Sequence, residues 1–113
     1  MNSLNATKIR QDFSMHVLLK KLNILPPHSH PDYRFPCPIH KGNNPTTCRI
    51  NDYNKIYCFK CAKSYDVIDV YSTLHQTPFK TTLIRLNQFL QDPEYQELLQ
   101  QKPSHNKQQP RSG

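Results

Sequence analysis

The chain has 113 residues, of which 35% are apolar, and a formal net charge of +7. A chain of this length has room for one small domain with a thin core, and such folds often need a structural metal or another staple. The charge favours polyanionic partners, meaning nucleic acid or acidic protein surfaces, and no apolar run approaches the roughly 20 residues that cross a bilayer.

The chain opens with a polar stretch over residues 1–10 that lacks the apolar region of a signal peptide. We therefore expect a cytoplasmic protein whose cysteines stay reduced and form no disulfides. The start of the chain and its polar end also favour a complete protein over a fragment of a longer one.

Apolar residues recur at helical spacing in the first part of the chain, at Ile9, Phe13, Val17 and Leu22. This period predicts one helix from about residue 7 to residue 22. The basic residues predicted on its outer face are Lys8, Arg10, Lys20 and Lys21. Pro26 then ends the helix, and a loop rich in proline and histidine completes an N-terminal segment over residues 1–32. His28 and His30 in this loop resemble a second metal pair, but such a pair in a loop is usually only solvated.

Two pairs of metal-ligand residues follow, Cys37-x-x-His40 and Cys58-x-x-Cys61, with seventeen residues between them. A two-residue gap lets one turn present two ligands to a tetrahedral ion such as zinc. A loop of the length between the pairs can run out and back as two strands, so that the two pairs meet. We therefore predict one structural zinc ion, held by Cys37, His40, Cys58 and Cys61 in a closed site.

Cys48 lies between the two pairs and is an alternative to His40 as the fourth ligand. We prefer His40, because an alternating strand would point Cys48 at a face of the sheet, away from the ends where the ligands meet. The expected role of Cys48 is that of a small buried apolar residue.

The segment between the ligand pairs predicts two strands, over residues 46–51 and 55–58, joined by residues 52–54. A further short strand is expected near Arg34 and Phe35. Together with the ligands, these strands predict a zinc ribbon.

Three helix signals follow the ribbon. Ser64 or Asp66 can begin a helix whose apolar face carries Val67, Ile68, Tyr71 and Leu74. Thr77 and Pro78 form a cap and first turn for a second helix, and the residue pair at 92–93 repeats that signal for a short third one. Residues 102–113 have no periodicity and predict a disordered, mildly basic tail. The expected fold class is α+β, with a ribbon and its C-terminal helices over residues 33–101 and one helix before them.

Basic and aromatic side chains are concentrated in the ribbon. Between residues 33 and 65 there are six basic residues and a single acid, Asp52. Cations hold phosphates, and aromatic rings stack on unpaired bases. The predicted nucleic-acid contacts are Arg34, Arg49, Lys55, Lys60, Lys63, Tyr53, Tyr57 and Tyr65. The alternative is that the rings form the core of the ribbon while the lysines solvate it, in which case Tyr53 and Tyr65 are the best candidates for exposure.

The ligand pattern, together with Pro45 five positions after His40 and with Asp66 opening a helix, resembles the N-terminal Cys-His-Cys-Cys zinc-ribbon domain of bacterial and phage DnaG-type DNA primases. The resemblance implies that the four ligands bind zinc, and that the ribbon contacts single-stranded template DNA and acts on a separate polymerising domain. That family usually has glycine at the positions of Lys60 and Ala62, where lysine and alanine disfavour the backbone angles that glycine permits.

The function that the resemblance implies is assistance to a catalytic primase, polymerase or helicase supplied by another chain, in the replication of a plasmid, phage or other mobile element. We expect no catalysis from the chain itself, because its eight acids are scattered and it has no phosphate-binding glycine loop. Asp66 and Asp69 are expected to serve a helix start and a solvated face instead of a metal. The alternatives are a protein-interaction adaptor that docks through its C-terminal helices, a regulator that binds duplex DNA and, last, a free-standing enzyme.

Overall fold

The computed structural model describes residues 5–26, 28–30 and 32–100, which form five helices and one three-stranded antiparallel sheet. The predicted α+β class is therefore confirmed. The elements are α1 (Ala6–Asp12), α2 (Met15–Lys21), β1 (Cys48–Ile50), β2 (Ile56–Cys58), β3 (Lys63–Tyr65), α3 (Val67–His75), α4 (Phe79–Leu90) and α5 (Pro93–Gln100). The predicted tail over residues 102–113 lies outside the described residues. No described helix has the length and apolar character needed to span a membrane.

The single helix predicted over residues 7–22 is wrong, because the chain breaks it into α1 and α2 at Phe13 and Ser14. Ser14 has an extended backbone, and its hydroxyl accepts the N–H of Val17, so it caps the start of α2. A helix break frees backbone groups that must find other partners.

Asn54, in the turn between β1 and β2, supplies partners for three of these groups. Its side-chain amide donates to the carbonyls of Arg10 at 2.9 Å and Phe13 at 2.6 Å. Its Oδ1 accepts the N–H of Met15 at 2.8 Å. The tip of the ribbon is thereby fixed to the two N-terminal helices.

Tyr95 on α5 supplies partners from the other side of the break. Its hydroxyl accepts the N–H of Ser14 at 2.9 Å and donates to the carbonyl of Asp12 at 3.2 Å. Its ring packs edge-on against Phe13, with the ring centres 5.0 Å apart. The C-terminal helix α5 therefore packs against the break between α1 and α2.

The sheet has the order β1-β2-β3, with Cys48 opposite Cys58 and Cys58 opposite Lys63. β1 and β2 are shorter than predicted, and the strand expected near Arg34 is reduced to one bridge between Phe35 and Cys48. The sequence did not predict β3. Ala62 takes a left-handed backbone with φ of 55°, and its N–H donates to the carbonyl of Cys58, so the chain turns back at once into a third strand.

Asp66 caps α3, which decides between the two predicted starts. Its carboxylate accepts the N–H of Asp69, and the Asp69 carboxylate accepts the N–H of Asp66 in return. Arg10 on α1 also pairs with Asp66 at 2.6 Å. The prediction that Thr77 caps α4 is wrong, because the structure places the cap at Pro78 with no side-chain bond and the Thr77 hydroxyl bonds that of Thr82 instead.

One apolar core runs through the helices and the ribbon. Its buried members include Ile9, Phe13, Val17, Leu18, Phe35, Cys48, Ile56, Val67, Val70, Leu83, Leu86 and Tyr95. Lys20 was predicted outside but is only 6% exposed, because α5 covers it. Its ammonium donates to the carbonyl of Leu98 at 3.2 Å, and burial lowers the pKa of this lysine.

Candidate metal centre and nucleic-acid face

The predicted zinc ligands come together from three parts of the ribbon. Cys37 and His40 lie in the turn after the Phe35 bridge, Cys58 ends β2, and Cys61 lies in the turn before β3. Their donor atoms all lie within 4.8 Å of one another. The His40 Nδ1 is 3.1 Å from the Cys61 sulfur and 3.5 Å from the Cys58 sulfur, so this ring nitrogen faces the cluster.

The donor set fits a single zinc ion. Four donors at zinc-bond lengths of about 2.0–2.3 Å around a tetrahedral ion lie roughly 3.3–3.8 Å apart. The separations found here, from 3.1 Å up to 4.8 Å, need only small adjustments to reach that range. Three thiols and an imidazole are typical ligands of structural zinc. These four side chains therefore form a zinc-binding site.

A family model described as CHC2 zinc finger, the DnaG zinc ribbon, matches residues 3–102. The chain belongs to this family. The predicted resemblance is thus confirmed over most of the chain. Neither the curated proteins nor the solved structures compared with it include a significant match.

Two contacts support the sulfur ligands of this CHC2 ribbon. Burial opposes ionisation of Cys58, but hydrogen bonds from the Cys61 N–H, at 3.2 Å, and from neighbouring thiols outweigh it and lower the pKa of Cys58. The Tyr65 hydroxyl bonds the Cys61 sulfur, which raises the pKa of Tyr65 to about 12 and keeps its proton on the phenol. Such contacts orient ligands and favour the thiolate form that zinc binds.

Cys48 is fully buried beside the site, as predicted, but the prediction that it points away from the ligands is wrong. It lies directly opposite Cys58 in the sheet, so the two side chains occupy the same face, and its thiol hydrogen-bonds those of Cys37 and Cys58. Burial raises the pKa of Cys48, which favours a neutral thiol that packs against the ligands.

The loop histidines belong to no metal cluster among the described residues. The His30 Nδ1 accepts the N–H of Asp32 at 3.1 Å and also lies 3.6 Å from the carboxylate of that residue. The interpretation of this histidine as a solvated loop residue fits that arrangement.

Gly42 is a part of the metal centre that the sequence did not reveal. A Cβ added at this position would lie 2.4 Å from the Nε2 of His40, well inside contact distance. The imidazole thus lies directly against the backbone of residue 42, and only glycine leaves room for it there.

We expect Gly42→Ala to weaken zinc binding by roughly 10- to 100-fold, the usual effect of disturbing a group that positions a ligand. The added methyl pushes the His40 ring away from the three sulfurs. Competition with a chromophoric chelator measures the affinity. Lys41→Ala is the control. Position 41 has a left-handed backbone, and lysine and alanine both carry a Cβ there, so this substitution adds no atom near His40. Equal affinities for both variants would contradict the steric explanation.

Part of the predicted nucleic-acid set lies on one side of the sheet. Arg49 pairs opposite Tyr57, on the face away from Cys48 and Cys58. The Tyr57 ring meets the ring of Phe59 edge-on, with centres 5.1 Å apart, and the Arg34 guanidinium lies 5.2 Å from the centre of the Phe59 ring. Lys60 lines the same groove as Arg34 and Phe59. We call the resulting surface the aromatic-basic face, formed by Arg34, Arg49, Tyr57, Phe59 and Lys60.

The remaining predicted contacts lie elsewhere. Tyr53, with 80% of its surface exposed, and the exposed Lys55 lie at the hairpin tip, where the Asn51 side chain accepts both of their N–H groups. Lys63 and Tyr65 lie on β3, with the ammonium 5.8 Å from the ring centre. Tyr65 is half-buried against Cys61, so its predicted exposure is wrong, whereas that of Tyr53 is confirmed.

Phe59 was absent from the predicted contacts, although 52% of its surface is exposed. Strand alternation could have found it, because Phe59 follows Tyr57 by two positions and such residues share a face. Its place between the zinc ligands Cys58 and Cys61 hid this signal.

Proposed function

We propose that this CHC2 ribbon binds single-stranded DNA through its aromatic-basic face and its hairpin tip. Bound there, it would assist a catalytic primase, polymerase or helicase of another chain in DNA priming. The family supports a role of the DnaG type. That the replication belongs to a mobile element stays a prediction from the resemblance.

The observation that carries the proposal is the unequal pairing of basic residues. On the N-terminal helices, Lys8, Arg10 and Lys21 each pair with an acid. Within the described part of the chain, none of the five predicted ribbon cations, Arg34, Arg49, Lys55, Lys60 and Lys63, has an acidic partner. Unpaired cations beside exposed rings are the arrangement that single-strand binders use.

We propose further that the chain recognises its template without catalysing a reaction. A zinc ion with four protein ligands has no open position for a reacting water. Asp66 and Asp69, the closest pair of acids considered for magnesium, are occupied with each other's backbone N–H groups at the start of α3. Catalysis would then come from the partner chain.

Titration with labelled oligothymidylate at two salt concentrations tests the proposal. With about four phosphates contacted, the slope of log affinity against log salt should be roughly −3, so affinity falls about 50-fold between about 50 and about 200 mM salt. Because Arg49→Gln/Lys55→Gln removes two of these contacts, it should flatten the slope by about half. The matched control is Arg85→Gln/Lys80→Gln, which removes the same charges from α4.

Two outcomes would count against single-strand binding. Affinity that is absent or indifferent to salt would do so directly. Equal weakening by the two double variants would show that only net charge matters and that neither the aromatic-basic face nor the hairpin tip has a special role.

A partner-docking role is the second candidate, and α4 is the element that favours it. This helix buries Leu83 and Leu86 but leaves Phe79 and Ile84 exposed. Under this alternative, Phe79→Ser/Ile84→Ser abolishes priming in a reconstituted replication assay while alanines at the ribbon cations leave it intact. The opposite result supports the single-strand proposal.

A further inference from the structure

A groove of about 600 Å³ opens on the aromatic-basic face, beside the zinc ligand His40. The residues that line it include Arg34, Asn43, Asn44, Thr46, Phe59 and Lys60. This volume lies within the range of sites that hold small organic ligands.

The residues that line the groove suit a ligand that is both anionic and flat. Arg34 and Lys60 contribute two positive charges, and no acid is among the described residues that line the groove. Phe59 contributes a half-exposed aromatic ring. A nucleotide combines these two properties, since it carries a phosphate and a planar base.

We propose that this groove holds one unpaired nucleotide of the bound strand, with its base stacked on Phe59 and its phosphate held by Arg34 and Lys60. The inference rests on the proposed function and adds to it a defined subsite for a single nucleotide. Base stacking of this kind depends little on sequence, because every base has an aromatic face.

The groove is formed before any ligand arrives. The Asn44 Oδ1 accepts the N–H and the hydroxyl of Thr46, each at 3.0 Å. Arg34 donates to the Thr46 carbonyl at 3.4 Å while its guanidinium faces the Phe59 ring. The Phe59 N–H donates to the carbonyl of Thr47 at 2.9 Å. A preformed site binds without a large cost for ordering its side chains.

The zinc centre forms another wall of the same groove. His40 and Gly42 line it, and Phe59 and Lys60 lie in the turn between the ligands Cys58 and Cys61. A zinc ion held by these ligands would therefore fix the ring of Phe59 and the ammonium of Lys60, which the nucleotide would contact. In this way a structural ion would take part in recognition without touching the nucleic acid.

Phe59→Trp gives a direct test, because the chain contains no tryptophan. The fluorescence of the new side chain should be quenched on titration with oligothymidylate if a base stacks on it. Phe79→Trp is the matched control, since Phe79 is 53% exposed and lies on α4, and its fluorescence should stay unchanged. Zinc content and circular dichroism establish that both variants are folded.

Phe59→Leu supplies an affinity measurement that does not rely on fluorescence. Loss of one stacked base should weaken oligothymidylate binding by roughly 5- to 150-fold, whereas Phe79→Leu should bind like wild type. If wild type binds the oligonucleotide but Phe59→Leu binds equally well and Phe59→Trp shows no quenching, the nucleotide subsite is refuted and the proposed function survives. If wild type does not bind single-stranded DNA, the proposed function fails and the subsite fails with it.

Discussion

Replacement of Cys58 by alanine should release zinc and unfold the ribbon, whereas Cys48→Ala should retain one zinc ion per chain. Both side chains are fully buried and lie opposite each other in β1 and β2, so the two substitutions remove the same volume from neighbouring positions. They differ in that Cys58 is a zinc ligand and Cys48 is a neighbouring thiol. The comparison therefore separates ligation from packing.

The expected difference in stability is large. A ligand present at a thousandfold excess over its dissociation constant stabilises the folded state by about 4 kcal/mol. For a domain of this size, the loss of this stabilisation when zinc is released lowers Tm by roughly 15–30 °C. Cys48→Ala should cost only roughly 1 kcal/mol, the effect of one small buried group. Metal analysis and thermal unfolding followed by circular dichroism measure both quantities.

Chelation of the wild-type protein supplies the independent check. The three strands have three residues each, and so small a sheet is not stable without further support. Metal-free protein that keeps its full structure would show that zinc is not the staple of this fold. Loss of zinc from Cys48→Ala, but not from Cys58→Ala, would instead overturn the ligand set.

The parts of the fold that the sequence predicts are those determined by nearby residues. The spacing of Cys37, His40, Cys58 and Cys61 identifies the metal ligands without reference to the rest of the chain. The start of α3 is equally local, because both members of its capping box lie within one helical turn. Short-range patterns of this kind can be predicted because all the residues that form the structure lie close together in the sequence.

The break between α1 and α2 could not be predicted in this way. The apolar period continues through Phe13 to Val17, so the local pattern favours an unbroken helix. The groups that replace the lost helical hydrogen bonds come from Asn54 and Tyr95, far along the chain. Tertiary contacts therefore outweigh the helical pattern.

The same limit applies to the candidate site. Lys20 becomes buried and Tyr65 half-buried through contacts with Leu98 and Cys61 that no spacing in the sequence indicates. Residue types at Ala62 and Gly42 were equally uninformative, because their roles depend on a left-handed turn and on the position of an imidazole ring. Ligand identity was thus predictable, while the surroundings that orient the ligands were not.

Asn54→Asp should destabilise the protein by about 3–4 kcal/mol, although the two side chains have the same shape. The new carboxylate can still accept the N–H of Met15, but it cannot donate to the carbonyls of Arg10 and Phe13. A buried acceptor left without its donor costs about 1–3 kcal/mol, and these two acceptors are part-buried. A negative charge beside two carbonyl oxygens adds to that loss. Urea unfolding of the zinc-loaded protein measures the change.

Asn23→Asp is the matched control for this substitution. Asn23 also has a left-handed backbone, with φ of 63° against 60° at Asn54, but it is exposed. Its replacement should change stability by less than about 0.5 kcal/mol, as is usual for surface positions. If the two variants unfold at the same urea concentration, the hydrogen bonds of Asn54 to the N-terminal helices do not stabilise the protein. A large difference would show that Asn54 fixes the hairpin tip, which also carries Tyr53, to the N-terminal helices.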